Sequence, residues 1–129
     1  MSSKVLSTSP EGSVIEFTFR GQHQRTHGSK IKEYIDSVLE KESVSGIVID
    51  FLDYSYEFGN DLFALFMVGY ERRSGVIRPV CVVARGLTQA SLVSLLKASN
   101  AESACDVTFV ATTAEVTDWL NRSVWGGSK

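Results

Sequence analysis

Three short runs of mostly β-branched residues recur along this chain: Ile47-Val48-Ile49, Val80-Cys81-Val82-Val83-Ala84 and Val107 to Ala111. Each is followed by a stretch with helical spacing. No other feature limits the fold as tightly. A continuous apolar run bounded by turn residues reads as a strand covered on both faces. Such strands, alternating with helices, build βαβ units with right-handed crossovers and a mainly parallel sheet.

The remaining segments fit that frame. Residues 4–8 form a weak strand, and Ser9-Pro10-Glu11-Gly12 supplies turn chemistry. Residues 13–19 alternate, with Ile15, Phe17 and Phe19 on one side and Val14, Glu16 and Thr18 on the other. Together they read as a hairpin that adds one antiparallel edge. The polar stretch 20–28 is expected to be a loop. Ser29 is the expected N-cap of a helix whose stripe is Ile31, Tyr34, Ile35, Val38 and Leu39. A second helix is expected over 60–73, apolar at Leu62, Phe63, Leu65, Phe66 and Val68, with Leu65 and Phe66 in the core. A third runs from Thr88 to Ala98, with Leu92, Leu95 and Leu96 inward. Thr112-Thr113-Ala114-Glu115 is a capping box opening a last helix with Val116, Trp119 and Leu120 inside. The expected order is β-β-α-β-α-β-α-β-α: an α/β fold with a mixed, mostly parallel five-stranded sheet and flanking helices. One domain covers residues 1–129, with 125–129 as a frayed tail.

Composition narrows the function classes. With 129 residues and 43% hydrophobic content, the chain can build one core and is short for two domains. A net charge of -2 and a pI near 5.7 argue against a nucleic-acid partner, which demands a basic face. Arg72, Arg73, Arg78 and Arg85 read as a solvated surface. The start lacks a signal-peptide pattern, and Leu62 to Val68 is far shorter than the ~20 residues that span a bilayer. A cytoplasmic protein without direct membrane insertion is expected. Cys81 and Cys105 are far apart and have no nearby histidines. They imply neither a disulfide scaffold nor a zinc site, and Cys81 reads as a small core hydrophobe.

No nucleophile elbow, phosphate-binding loop, dinucleotide fingerprint or zinc-protease motif occurs, so no catalytic residue and no cofactor are assigned. His23 and His27 lie in a Gly-flanked polar stretch without partner ligands. The segment with most chemistry is Asp50 to Asp61, at the exit of the third strand, where open parallel sheets meet their ligands. It holds Asp50, Asp53, Glu57 and Asp61 among Tyr54, Tyr56 and Phe58. Four acids can offer oxygen ligands to Mg²⁺, though their spacing lacks the glycine-interrupted wrap of a calcium loop, and no metal is assigned. Exposed aromatics can instead form a protein-docking face. The bland reading has the aromatics cover the core, the other acids solvated, and Asp61 in a first helical turn that favours a carboxylate.

Ile47-Val48-Ile49-Asp50-Phe51, a short loop, then Phe58-Gly59-Asn60-Asp61-Leu62-Phe63-Ala64-Leu65-Phe66 resembles the centre of a STAS domain. These are the anti-sigma-factor antagonists and their relatives. The family pattern is an apolar strand ending in Asp, a loop with an aromatic, and an Asp-Ser-Ser-Gly turn opening an apolar helix. Element order carries the likeness over most of the chain. The resemblance implies a non-catalytic regulatory module that docks a protein: a regulatory kinase, an anti-sigma-type protein or a sensor. Docking would use Tyr54, Ser55, Tyr56, Glu57, Phe58, Gly59, Asn60 and Asp61. Aligned on Asp50, the family's two serine positions hold Gly59 and Asn60, so the phosphorylation-equivalent position is Asn60, which has no hydroxyl. Ser55 lies earlier in the loop. Two alternatives remain open: a phosphotransfer receiver accepting phosphate at the strand-end Asp, and a small-ligand carrier. The first is weakened by the first strand exit, Phe19-Arg20-Gly21-Gln22, which lacks the acids that would hold Mg²⁺.

Overall fold

The computed structural model describes residues 2–9, 12–22, 27–41, 44–55, 68, 70–71, 76–98 and 106–125. Along the chain run β1 (Ser2–Ser9), β2 (Gly12–Gln22), α1 (His27–Leu39), β3 (Val44–Ser55), β4 (Tyr70–Glu71) and β5 (Val76–Ile77). There follow β6 (Val80–Val83), α2 (Gly86–Ala98), β7 (Val107–Val110) and α3 (Thr113–Trp119), which passes into a π-helical segment at Leu120–Trp125. Among the described helices none is long and apolar enough to cross a membrane.

The fold is α/β, built on one five-stranded sheet in the order β1-β2-β3-β6-β7. β1 pairs antiparallel with β2, and every other neighbour pair is parallel. The alternation in residues 13–19 therefore does what period 2 demands. Ile15, Phe17 and Phe19 face the side covered by α1 and α2, while Val14 faces the side covered by α3. Two of the three continuous runs are covered on both faces, since Ile47, Val48, Ile49 and all four residues of β6 are buried, whereas β7, last in the sheet order, is half-buried except at Val110. Val80, Val82 and Ala84 join the first core, and Cys81 and Val83 join the second.

The core on the α1 and α2 side includes Ile31 and Ile35 from α1, Leu92 and Leu96 from α2, and Ile47, Ile49 and Phe51 from β3. Leu95 is half-buried against it. Each fully buried Ile, Leu or Phe contributes about 1.5–3 kcal/mol relative to exposure. The core on the other side is smaller, with Val14, Val48, Cys81, Val83, Val110, Val116 and Trp119. α3 lies close on it because position 46 has no side chain. A Cβ on Gly46 would stand 3.2 Å from Val124 Cγ2 and 3.4 Å from both the Trp119 ring and Val14 Cγ2.

Several boundaries depart from the sequence reading. Residues 20–22 continue β2 instead of opening a loop, because they find ladder partners in Asp53, Tyr54 and Ser55 of β3. α1 begins at His27, before the expected cap Ser29. The C-terminal part of the helix expected over 60–73 is replaced at Tyr70–Glu71 by β4, paired with β5 as Tyr70↔Ile77 and Glu71↔Val76. Backbone pairing with β5 takes the place of helix at these two residues. Residues 60–67, with Leu65 and Phe66, lie outside the described residues, as does Cys105. Val68 is buried against the first core.

Candidate functional site at the carboxyl edge of the sheet

The parallel strands do not end level. Val83, the last residue of β6, pairs with Asp50, yet β3 runs on to Ser55. Five residues of β3 thus project past β6, about 17 Å at the usual rise per residue. Among the described residues, only β2 accompanies them, through Arg20↔Asp53, Gly21↔Tyr54 and Gln22↔Ser55. The result is a two-stranded ribbon standing off the carboxyl edge.

A bulge sets which side chains the ribbon shows. Between Thr18↔Asp50 and Arg20↔Asp53, β2 advances two residues while β3 advances three. The extra residue interrupts the ladder, and the Leu52 N–H is taken by Asp50 Oδ1 at 2.9 Å. Asp50 is therefore half-buried and internally engaged, part-way along β3 rather than at its end. The bulge also resets the alternation, so that Phe51 and Tyr54, three apart, both face the first core. Their rings stack at 4.9 Å and 25°. Phe51 meets Phe19 at 5.5 Å, and Tyr34 of α1 meets both Phe19 and Phe17 edge-on at 6.4 and 5.9 Å. This aromatic series braces the ribbon against α1, and aromatic pairs of this kind add about 0.5–1.5 kcal/mol beyond the area they bury.

α2 ties the strand ends together from its first turns. The Thr88 hydroxyl donates to the Tyr54 carbonyl at 3.3 Å, while Gln89 Nε2 donates to the Ala84 carbonyl at 2.6 Å and to that of Val110 at 3.4 Å. Gly86, at φ 62°, makes the left-handed entry that this turn requires. Leu87 is 61% exposed beside these contacts, and Arg85 is exposed as well. Arg20 and Asp53 form an exposed pair at 4.0 Å across the ribbon, a contact that contributes little to stability.

Of the residues assigned to docking, Tyr54 is 5% exposed and belongs to the core, so it buttresses the site from beneath instead of offering a contact. Ser55 is exposed at the tip of β3. Tyr56, Glu57, Phe58, Gly59, Asn60 and Asp61 lie outside the described residues. Sequence reasoning missed Leu87, Thr88 and Gln89 as members of this edge. The signal was available: Gly86 just after a buried strand, then an apolar residue ahead of the helical stripe. No family model matches this chain, and none of the curated proteins is similar to it.

Proposed function

We propose that this chain is a non-catalytic regulatory module of the STAS type, which docks a protein partner at the carboxyl edge of its sheet. The partner is a regulatory kinase, an anti-sigma-type protein or a sensor. It meets the exposed end of β3, the segment 56–61 that follows, and the first turn of α2. The observation that supports this reading is the five-residue projection of β3 past β6, which leaves Asp53 and Ser55 exposed at the carboxyl edge, where Leu87 is exposed as well. An element order of strand hairpin, helix and parallel strands agrees with the same family. Asn60 at the phosphorylation-equivalent position offers a kinase no hydroxyl, so the binding state is constitutive.

Site-specific photocrosslinking in the source cells tests this. A crosslinker at position 55 or 87 is expected to yield a discrete protein adduct that one at Thr117, exposed on α3, does not. Adduct formation is expected to be insensitive to ATP, and intact-mass spectrometry to find no stoichiometric phosphate within 54–61. Equal adducts from all three positions, or none, would remove the docking surface. A fully phosphorylated Ser55 would remove the constitutive state.

A further inference from the structure

On the opposite face, far along the chain from the ribbon, a cleft of about 330 Å³ opens between β7 and α3. Thr108 and Val110 line it from the strand, and Glu115, Asp118, Trp119 and Arg122 from the helix and its π-helical continuation. That volume lies at the lower end of the range for small-molecule sites.

We infer that this cleft binds a small zwitterion, with a free amino acid as the simplest member of the class, its carboxylate on Arg122 and its ammonium on Asp118. Four observations converge on it. Asp118 and Arg122 are one helical turn apart and oppositely charged, a spacing at which such residues usually pair. Here no salt bridge joins them, and both side chains are exposed at the cleft. The Trp119 side chain is 4% exposed, and its indole N–H is the one buried side-chain polar group among the described residues without a hydrogen-bond partner. Buried donors in native proteins are nearly always paired, so this one calls for an acceptor. The N–H is itself closed to solvent, so a carboxylate held by Arg122, three residues further along the helix, meets it once the Trp119 ring turns toward the cleft. The helix also changes to π geometry directly after Trp119, a departure that tends to accompany functional sites.

Glu115 is less free to take part. Its carboxylate already accepts from the Thr112 hydroxyl at 3.0 Å and the Ala111 N–H at 3.2 Å. It leaves the cleft with one more negative charge than positive, which favours a ligand whose ammonium is its stronger handle. Val110 and the Trp119 ring supply an apolar wall for an aliphatic side chain.

Trp119 is itself the reporter. With Trp125→Phe in the full chain, Trp119 fluorescence is titrated with the common L-amino acids one at a time, L-leucine first. At least one is expected to give a saturable change at sub-millimolar concentration. The methyl ester of that amino acid, which lacks the carboxylate, and its deaminated analogue, which lacks the ammonium, are each expected to bind at least about tenfold more weakly, the loss of one charged contact. Asp118→Asn and Arg122→Gln are expected to weaken binding similarly while leaving Tm unchanged, because both side chains are exposed. Trp119→Phe, followed by calorimetry, is expected to lower affinity by removing the N–H and keeping a ring. No saturable response to any amino acid up to about 10 mM, or full binding by both charge variants, would overturn the assignment.

Discussion

The two faces of the sheet are unequal in kind as well as size. The face under α1 and α2 is an aromatic-rich core in which Phe17, Phe19, Tyr34, Phe51 and Tyr54 form one connected series. The face under α3 is smaller and chemically mixed. It holds a buried thiol, an unpartnered indole N–H and an open cleft, and it depends on one short helix that Gly46 allows to approach. The large face holds the fold together and braces the ribbon. The small face keeps the irregular features. Placing an unpartnered donor and open space on the smaller core costs a marginally stable domain least.

The largest test of this contrast is Phe51→Ala. Phe51 is 1% exposed and joins the stacks of Phe19 and Tyr54, so truncation is expected to cost about 3–5 kcal/mol in denaturant unfolding. It should also free the end of β3, seen as faster amide exchange at residues 52–55. A loss below about 1 kcal/mol would mean that the aromatic series does not brace the ribbon.

A smaller effect is expected from the other face. Glu115 N–H donates to Thr112 Oγ1 at 3.3 Å, the cap that starts α3. Thr112→Ala is expected to cost about 1 kcal/mol, the usual loss for a Ser or Thr cap. Amide exchange should quicken in α3 and leave α1 untouched. An equal change in both helices would erase the distinction between the faces.

The last test reads the alkaline limb of the stability profile. Burial, reinforced by the charge of Glu115, pushes the Cys81 thiol from 9.0 up to about 12. Between these values an unfolded thiol gives up its proton and the folded one keeps it. The unfolded state then binds fewer protons, so stability falls as pH rises through that window. In a Cys105→Ser background, Cys81→Ala is expected to flatten this alkaline fall while leaving the profile below pH 8 parallel to its parent. In the native protein, Cys81 should also resist alkylation at pH 8, since the thiolate is the reactive form.

The five strands of the main sheet, α1, α2 and the capped start of α3 were legible because each rests on a local pattern. Ile15, Phe17 and Phe19 alternate, Leu92 and Leu96 are four apart, and Glu115 follows Thr112 at capping distance. What was lost depends on neighbours. Tyr54 looked like a loop aromatic because the strand was expected to stop near Phe51. One extra residue in β3 opposite β2 reverses the side on which everything beyond it lies, and no local pattern announces that residue. The same dependence on a partner turned residues 20–22 from polar loop into strand, and Tyr70–Glu71 from helix into β4.

By itself, then, the sequence determined the α/β class, the positions of the five main strands along the chain and which residues are apolar enough to be inside, since periodicity and hydropathy are properties of each segment alone. Only the tertiary structure decided how far β3 outruns β6, which way Tyr54 turns, and that Asp118, Trp119 and Arg122 border one cleft with Thr108. Those facts arise where two segments meet, through register, bulges and the distance at which α3 settles on the sheet, and they are set by the partner as much as by the residue.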